Sequence, residues 1–518
     1  QAIMNYENMT LKEKVFQTFI VTIREINKHG GPKEFFKKYP VGGMYYSQSQ
    51  DPDMENKVEI GTSSCLKRLG ECKENSKLPL LVCADGVPLS GQTIRPNSSS
   101  LGGTRNEKYA YEYGKIIGMS MNENGIDWVL GPIIDMMYYN CSLPFSAMSN
   151  SPEMTAKLYR QVVKGIQDQG VCATVKHFPG LGTDSINMHF APGRNVLPFS
   201  EWMDSYGYTY MQMFEENVCS VMTTHTTLRS FDNETHDGFY PIATYSEKLT
   251  KELLKDKLGF KGAVVTDALI MGGMATGDLV KETVQAFKAG ADLLLWPPVE
   301  AADEIVRHLE SGEIPMSRLD DALMRIQKMR QFRENAKNKP IDVPNGEFAN
   351  KITAEIINDG ICLRKNEINL LPLSDKYKNL LIIDATDNGK STELLKEEFT
   401  KYGLSVKTDR IIYDVPSRVC WQDDIDKIKD NYDLVIFNID TDIACTWSEP
   451  FMLIWASHLF DKSKKLIINF GSPYFASDYF PEDPTLIDVN SNATAVSVKA
   501  VVEKILGKSE FKGYSNIL

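Results

Sequence analysis

The feature that most constrains the fold is a repeated alternation of short apolar runs with amphipathic segments. Seven runs are rich in β-forming residues and end in polar residues or glycine: Val41–Tyr46, Leu78–Asp85, Ile126–Asp135, Cys172–His177, Ser220–His225, Ala263–Asp267 and Ala291–Trp296. Helical patterns separate them, most clearly Pro152–Gln169, Phe199–Glu216, Ser246–Leu258 and Val280–Ala289. Near-continuous apolar strands that alternate with helices are typical of parallel sheets buried on both faces. We therefore predict an α/β chain that begins with a TIM-like (β/α) barrel.

The ends of this first part follow from local patterns. A capping box at Thr10–Glu13 predicts a helix that runs through Ile23, and the helical pattern Pro315–Arg330 closes the barrel. With 518 residues the chain exceeds one compact core. A polar segment with two prolines, at 336–350, predicts a linker between a barrel domain at 1–335 and a second domain at 351–518.

The second domain has its own series of apolar runs. They are Gly360–Leu363, Asn379–Asp384, Leu434–Ile439, Lys465–Asn469 and Leu486–Val489, with helical patterns between them such as Ser391–Tyr402 and Ala495–Leu506. This pattern predicts a smaller α/β sandwich domain with a parallel sheet.

The composition limits the classes of binding partner that we expect for this chain. A net charge of −12 argues against a nucleic-acid partner, and no apolar run is long enough to span a membrane. The nine cysteines are scattered and form no Cys-x-x-Cys pair, which favours buried thiols and a cytoplasmic location. Because the sequence begins at Gln1, export after removal of a signal segment is the alternative. We predict no metal and no cofactor, since neither ligand spacing nor a glycine-rich phosphate loop is found.

Groups able to do chemistry collect where the predicted strands end. They are Asp85, Asp135, Lys176, His177, His225 and Asp267, and His189 follows in the loop of Lys176–His189, KHFPGLGTDSINMH. The carboxyl ends of barrel strands face one another, so these side chains are expected in one site. A single strand-end carboxylate is as readily a structural cap as a substrate ligand. Three acids, one lysine and three imidazoles exceed what caps require.

Such a set suits glycoside hydrolysis. One carboxylate attacks the anomeric carbon, and a second group protonates the leaving oxygen and then deprotonates water. Histidine can take the second role, because its ordinary pKa near 6.5 permits both directions of transfer near neutral pH.

The same residues resemble glycoside hydrolase family 3, specifically its β-N-acetylglucosaminidase branch. The branch's strand end Lys-His-Phe-Pro-Gly-x-Gly matches Lys176–Gly182, and a histidine follows at the expected interval as His189. The family's nucleophile motif matches Val264–Met271, VVTDALIM. Weaker matches extend the resemblance over nearly the whole chain: Leu11–Phe19, Val41-Gly-Gly, Leu80–Asp85 and Phe470–Tyr474. The resemblance implies a retaining exo-glycosidase that releases β-linked N-acetylglucosamine from peptidoglycan- or chitin-derived saccharides through a covalent glycosyl-aspartate.

The resemblance also implies roles for individual residues. Asp267 is then the nucleophile and His189 the acid/base, with Asn187 beside it, while the sugar is held by a further set: Asp85, Lys176, His177 and His225. Two positions depart from the family pattern. Asn187 stands where the family has an aspartate, so it can orient the imidazole but cannot supply negative charge to the imidazolium. Ser146 stands near the place of a sugar-contacting arginine.

Three alternatives stay open at this stage. A phosphorolytic enzyme is one, because a histidine acid/base repels incoming phosphate less than a carboxylate would. A family 3 β-glucosidase is another. The third is a catalytically silent sugar-binding protein, which the departures at Asn187 and Ser146 would explain. In each case the partner is a carbohydrate and the protein is a monomer or homodimer.

Overall fold

The computed structural model describes residues 4–47, 62–139, 146–274, 276–410, 423, 425–426, 429–441 and 457–518. The chain forms two compact units. Unit 1 comprises Gln1–Thr93, Ala110–Ser142 and Thr155–Ala349, and unit 2 comprises Ile94–Tyr109, Leu143–Met154 and Asn350–Leu518. The last limit, at Ala349, falls at the end of the predicted linker 336–350. The boundaries predicted from the sequence place neither 94–109 nor 143–154 in the second domain.

Unit 1 is built on short strands: β1 Phe19–Thr22, β2 Gly43–Tyr45, β3 Leu81–Ala84, β4 Trp128–Val129, β5 Thr174–Phe178, β6 Gly193–Asn195, β7 Ser220–Thr223, β8 Thr226–Leu228, β9 Ala263–Thr266 and β10 Leu294–Leu295. All of their ladders are parallel, in the orders β10-β1-β2-β3-β4, β5-β7-β9 and β6-β8. Parallel bridges pair Trp128 with Cys172 and Val265 with Leu293. The predicted α/β architecture with parallel sheets is therefore confirmed.

Helices connect these strands. The α-helices that lie wholly or mostly in unit 1 are Leu11–Phe16, Ile23–Lys28, Gly31–Lys38, Thr62–Asn75, Glu107–Glu123, Pro152–Asp168, Phe199–Trp202, Tyr208–Glu215, Leu279–Ala289, Ala301–Ser311 and Met316–Ala336. π-Helical segments occupy Met203–Gly207 and Lys248–Lys257. Turns of 3₁₀ helix lie at Tyr6–Asn8 and Gly272–Met274.

The helix predicted from Thr10 through Ile23 is wrong in its second half. The capping box is present, with Thr10 and Glu13 in reciprocal hydrogen bonds, but the helix ends at Phe16. Phe19–Thr22 is instead the fully buried strand β1, which pairs with β10 and β2. Aromatic and β-branched residues in a run of four favour a strand once neighbours are available on both edges.

An apolar cluster in the interior of unit 1 includes residues from most of its strands. Its buried members include Ile20, Tyr45, Leu81, Cys83, Trp128, Cys172, Met222, Val265, Leu293 and Leu295. Ile326 and Met329, from the helix Met316–Ala336, pack against the same cluster. The strands are thus fixed by shared burial, and their carboxyl ends are held in defined positions.

A buried ion network ties β9 to the helices that flank it. Lys255 donates to Asp292 at 2.8 Å, and Arg318 also pairs with Asp292, whose side chain is completely buried. The second oxygen of Asp292 accepts the backbone N–H of Val264, at 2.8 Å. Charges buried this deeply are tolerated only when they are paired and hydrogen-bonded, so this network fixes the strand that carries Asp267.

Unit 2 contains a six-stranded sheet in the order β11-β16-β15-β14-β12-β13. Its strands are β11 Cys362–Asn366, β12 Asn379–Thr386, β13 Ser405–Asp409, β14 Leu434–Asp440, β15 Lys465–Asn469 and β16 Thr485–Asp488. The associated α-helices are Ser98–Thr104, Gly346–Gly360, Lys390–Lys401, Pro473–Tyr479 and Ala495–Ile505, with 3₁₀ turns at Lys429–Asn431 and Lys462–Lys464. Alternate residues of β12 enter two apolar cores, one on each face of the sheet, as Ile382 and Ile383 illustrate.

The sequence predicts a parallel sheet in unit 2, but the sheet is not wholly parallel. The edge strand β11 runs antiparallel to β16, whereas the remaining ladders are parallel. An antiparallel edge strand on a mostly parallel sheet is common, and strand direction leaves no mark in a short apolar run.

Two further observations concern the described part of the chain. No helix within it is long and apolar enough to cross a membrane. The cysteines it contains are buried thiols outside any disulfide bond: Cys65, Cys72, Cys83, Cys172, Cys219 and Cys362.

Candidate active site

Asp267 directly follows β9 and is held by hydrogen bonds to both carboxylate oxygens. The Thr224 hydroxyl donates to Oδ2 at 2.7 Å, and the Ala268 N–H donates to Oδ1 at 2.8 Å. The residue is only 8% exposed. Burial raises the pKa of Asp267, but the nearby charges, led by His177, outweigh burial and hold that pKa below the usual 3.8. Asp267 is therefore an ionised, rigidly oriented carboxylate.

Asp85 and Lys176 form an ion pair at the ends of β3 and β5. The Lys176 ammonium lies 2.9 Å from Asp85 Oδ1, and the Tyr45 hydroxyl donates to Oδ2 at 2.8 Å. Lys176 is buried, whereas the Asp85 side chain is 58% exposed. The pair thus keeps a carboxylate open to solvent while it holds the lysine stem in place.

His177 is oriented by a buried carboxylate. Nδ1 of His177 lies 2.8 Å from Asp135 Oδ2, and Oδ1 of Asp135 accepts the N–H groups of His177 and Leu181. Asp135 therefore fixes the imidazole and the following turn together. Since Nδ1 faces a carboxylate, it carries the proton and leaves Nε2 on the opposite side of the ring.

The turn after β5 explains the glycines of the KHFPGLG motif. Gly180 and Gly182 have φ angles of 120° and 119°, a backbone conformation that residues with a side chain rarely adopt. A Cβ on Gly180 would also lie 2.2 Å from the ring of Tyr206, whose hydroxyl donates to the carbonyl of Leu181. The motif thus encodes a tight turn against a buried aromatic side chain, in addition to its charged groups.

His225, for which the sequence predicts a sugar contact, has both of its ring nitrogens hydrogen-bonded to the protein. It is completely buried, with Nε2 3.0 Å from the Ala268 carbonyl and Nδ1 2.7 Å from the Thr244 hydroxyl. Burial lowers the pKa of His225 below 6.5 and favours the neutral ring. A carbonyl can only accept, so Nε2 carries the proton and Thr244 donates to Nδ1. With both nitrogens engaged, this geometry favours a positioning role for His225.

His189 lies on an exposed loop and pairs with Asn187. The Asn187 amide oxygen is 2.7 Å from His189 Nδ1 and 3.0 Å from the His189 N–H. Asp184, the nearest acid in the loop sequence, instead pairs with Arg194 at 2.9 Å. The amide therefore takes the orienting position, and Nδ1 is the protonated nitrogen whenever the ring is neutral.

The His189 loop is joined to the turn that follows Asp267. The N–H groups of Gly272 and Gly273 donate to the carbonyls of His189 and Met188, at 2.8 Å and 3.1 Å. Asp267 and His189 are therefore carried by segments that contact each other through their backbones.

Sequence reasoning missed the hydroxyl groups that complete this arrangement. Tyr45 ends β2 and holds Asp85, Thr224 follows β7 and holds Asp267, and Thr244 holds His225. Tyr45 and Thr224 stand at strand ends, so the rule that selected the charged groups would have found them if it had included hydroxyls. Ser146, the second departure, belongs to unit 2.

One group of possible metal ligands occurs elsewhere in the described part of unit 1. Glu25, His29 and Glu300 place ligand-type atoms within 4.8 Å of one another. The Lys28 ammonium lies 3.9 Å from Glu25 and 4.0 Å from Glu300, so a cation already balances these carboxylates. We interpret the group as a surface ion-pair cluster.

Comparisons with known proteins identify the family to which the chain belongs. The model of the glycosyl hydrolase family 3 N terminal domain matches residues 10–329. A β-N-acetylglucosaminidase/β-glucosidase of Cellulomonas fimi is 25% identical over 483 residues, which cover 86% of this chain and 84% of that protein. β-Hexosaminidase A of Pseudoalteromonas piscicida is 24% identical over 396 residues, covering 68% of this chain and 63% of that protein.

Solved structures share the fold. A β-glucoside phosphorylase bound to 2FGlc superposes with a TM-score of 0.78 at 23% identity, covering 98% of this chain and 94% of that one. A family 3 β-N-acetylglucosaminidase from Paenibacillus sp. str. FPU-7 gives 0.76 at 22% identity, covering 98% and 99%. Since the family model covers more than half of the chain, this protein belongs to glycosyl hydrolase family 3.

Proposed function

We propose that this glycoside hydrolase is a retaining exo-glycosidase that releases terminal β-linked N-acetylglucosamine. The observation that carries the proposal is the placement of Asp267, an ionised and doubly hydrogen-bonded carboxylate whose following turn is bonded to the His189 loop. A nucleophile and an acid/base on contacting segments are what a double-displacement mechanism requires.

In the first step the carboxylate of Asp267 attacks the anomeric carbon, and the bond from that carbon to the leaving oxygen breaks. His189, as the imidazolium, gives the proton on Nε2 to the leaving oxygen, since Asn187 occupies Nδ1. The product of this step is a glycosyl ester of Asp267 and a neutral imidazole. The Thr224 hydroxyl and the Ala268 N–H keep the carboxylate aimed throughout.

In the second step His189 acts as the base. Nε2 takes a proton from water, the hydroxide oxygen bonds to the anomeric carbon, and the Asp267 ester bond breaks. Two inversions return the original anomeric configuration and regenerate the carboxylate and the imidazolium. Asn187 orients the ring without adding charge, so the imidazolium is less stabilised than a carboxylate partner would make it.

Substrate hydroxyls have donors and acceptors nearby. We assign the Asp85 carboxylate, the Lys176 ammonium and Nε2 of His177 to the sugar. The Asp85 side chain stays 58% exposed although Lys176 and Tyr45 hold its two oxygens, and His177 is held through Nδ1. His225 acts through Ala268 and orients Asp267. These assignments give a small polar set that suits a single terminal sugar.

The choice of N-acetylglucosamine is supported by the name of the relative from Cellulomonas fimi, and the name of the relative from Pseudoalteromonas piscicida, a β-hexosaminidase, supports a hexosamine sugar. Chitin-derived oligosaccharides and peptidoglycan-derived disaccharides are the natural substrates we propose. The first relative's name also includes β-glucosidase, so the two aryl glycosides must be compared directly.

We further propose that eight strands of unit 1 close into a TIM-like barrel that precedes a smaller α/β sandwich. The bridges Trp128–Cys172 and Val265–Leu293 support closure, because they link the ladder β10-β1-β2-β3-β4 to the ladder β5-β7-β9 at both ends. A closed barrel would bring all of the strand ends named above around one opening.

The test is hydrolysis of aryl β-N-acetylglucosaminide and aryl β-glucoside by wild type and Asp267→Asn. We expect the N-acetylglucosaminide to be preferred, the variant to lose nearly all turnover, and proton NMR to show the β-anomer of the product first. The assay is run with and without phosphate, since a sugar phosphate product would indicate phosphorolysis. Full activity in a folded Asp267→Asn protein would refute the nucleophile assignment.

A further inference from the structure

Two glycines lie where the turn after Asp267 meets the His189 loop. Gly272 and Gly273 open the 3₁₀ turn Gly272–Met274. Their N–H groups donate to the carbonyl oxygens of His189 and Met188, at 2.8 Å and 3.1 Å. The His189 loop is thus held by its backbone at the catalytic residue itself and at the residue before it.

The contact is too close for any side chain. A Cβ on Gly272 would lie 2.8 Å from the Phe190 carbonyl oxygen and 2.9 Å from that of His189. A Cβ on Gly273 would lie 2.5 Å from the Met188 carbonyl oxygen and 2.8 Å from Cβ of His225. These obstacles are backbone or near-backbone atoms, so the His189 loop would have to move to relieve the clash.

The glycines are required by this close approach and not by their backbone angles. Neither residue has a φ angle in the left-handed region, in contrast to Gly180 and Gly182 in the preceding turn. On the other side of Gly273, His225 is hydrogen-bonded to the Ala268 carbonyl. The glycine pair therefore packs between the fixed nucleophile segment and the loop that carries the acid/base.

We propose that Gly272 and Gly273 are positioning residues that set His189 for proton transfer to the leaving group. The inference rests on the proposed function. A methyl group at Gly272 displaces the His189 loop, whereas Asp267 keeps its own bonds to Thr224 and Ala268. Acid catalysis is then impaired while nucleophilic attack is retained. A methyl group at Gly273 displaces the same loop and also presses on His225, which is bonded to Ala268.

A leaving-group series separates these two effects. Dinitrophenolate departs without protonation, whereas a phenyl or alkyl leaving group needs the proton from His189. For Gly272→Ala and Gly273→Ala we expect kcat/KM on the phenyl N-acetylglucosaminide to fall about 30-fold or more, because small misplacements of a catalytic group are costly. On the dinitrophenyl glycoside we expect a fall of about threefold or less for Gly272→Ala. For Gly273→Ala we expect a larger fall on this substrate, but still a smaller one than on the phenyl glycoside, because its methyl group also presses on His225.

The control is Gly262→Ala. Gly262 directly precedes β9, whereas Asp267 and the turn with Gly272 and Gly273 follow that strand. A Cβ there would lie 2.6 Å from the Cys219 carbonyl oxygen, a clash of the same kind and size away from His189. It should change kcat/KM for both leaving groups by the same factor. Gly272→Ala, with the milder clash, is prepared alongside Gly273→Ala so that the comparison does not depend on the more crowded variant folding.

Equal losses on both substrates in Gly272→Ala would overturn the proposal, since a general loss of structure affects both steps. The proposed function is tested first and separately with wild type and Asp267→Asn on the dinitrophenyl glycoside. If that pair shows no Asp267-dependent turnover, the proposed function fails before the glycines are considered.

Discussion

Replacement of Asn187 by aspartate restores the charge that this chain lacks beside its histidine. The Asn187 oxygen already accepts from Nδ1 and the N–H of His189, at 2.7 Å and 3.0 Å, and an aspartate is nearly isosteric. The substitution therefore adds a negative charge with little change in geometry. It stabilises the imidazolium, which is the form that acts as general acid.

The size of the expected shift in the pH profile follows from the solvent exposure of the two side chains. Both residues are exposed, so water screens the pair, and two unit charges about 4 Å apart in water interact by about 1 kcal/mol. That energy corresponds to about a fivefold change in the protonation equilibrium of the imidazole, which is a shift of somewhat less than about 1 pH unit. We expect the alkaline limb of kcat/KM for the phenyl N-acetylglucosaminide to move upward by about that amount, with about fivefold more activity above it.

The assay is a full pH profile of kcat/KM for wild type and Asn187→Asp. Asp184→Asn is the control, because it removes a nearby carboxylate that pairs with Arg194 and not with His189. An alkaline limb that stays in place or moves downward in Asn187→Asp would refute the reasoning, as would an equal shift in the control.

Further predictions concern charged and titratable groups that are buried in unit 1. Asp292→Asn should lower the free energy of unfolding by roughly 1.5–3 kcal/mol in denaturant titrations, because Lys255 and Arg318 lose a buried carboxylate and keep Asp321 as their charged partner; no measurable loss would contradict this. His225→Gln should flatten the pH dependence of stability: burial lowers the pKa of His225, so below pH 6.5 only the unfolded wild type gains that proton, and its stability falls as the pH drops. Equal slopes for both proteins would contradict it. Lys176→Met should reduce kcat/KM by about 10²-fold through loss of a charged hydrogen-bonding group beside Asp85; unchanged kcat/KM would exclude a sugar contact.

Much of the site was predictable because strand ends carry the chemistry in parallel α/β folds. Lys176 and His177 do lie at the end of a buried strand, and Asp85 and Asp267 directly follow theirs. The predicted partnership of Asn187 with the His189 ring is present as a hydrogen bond. Local sequence suffices for these features, because each depends on where one strand stops.

Partners across the sheet were not predictable from the sequence. Nothing in it pairs Asp135 with His177, or shows that His225 turns both ring nitrogens to the protein. The strand β1 was mistaken for helix, because a genuine capping box precedes it and its partner strand β10 lies 275 residues further along the chain (Phe19 pairs with Leu294). Such contacts depend on register between distant segments, and short-range pattern does not encode register.

The central claim is that Asp267 forms a covalent bond to the sugar, and trapping that bond tests it most directly. A fluorinated N-acetylglucosaminyl fluoride slows both steps but leaves a good leaving group, so the glycosyl-enzyme accumulates. The account predicts inactivation with a single label, found by peptide mass spectrometry on the carboxylate of Asp267 and absent from Asp267→Asn. A label on another carboxylate, or steady turnover with no trapped ester, would contradict the account.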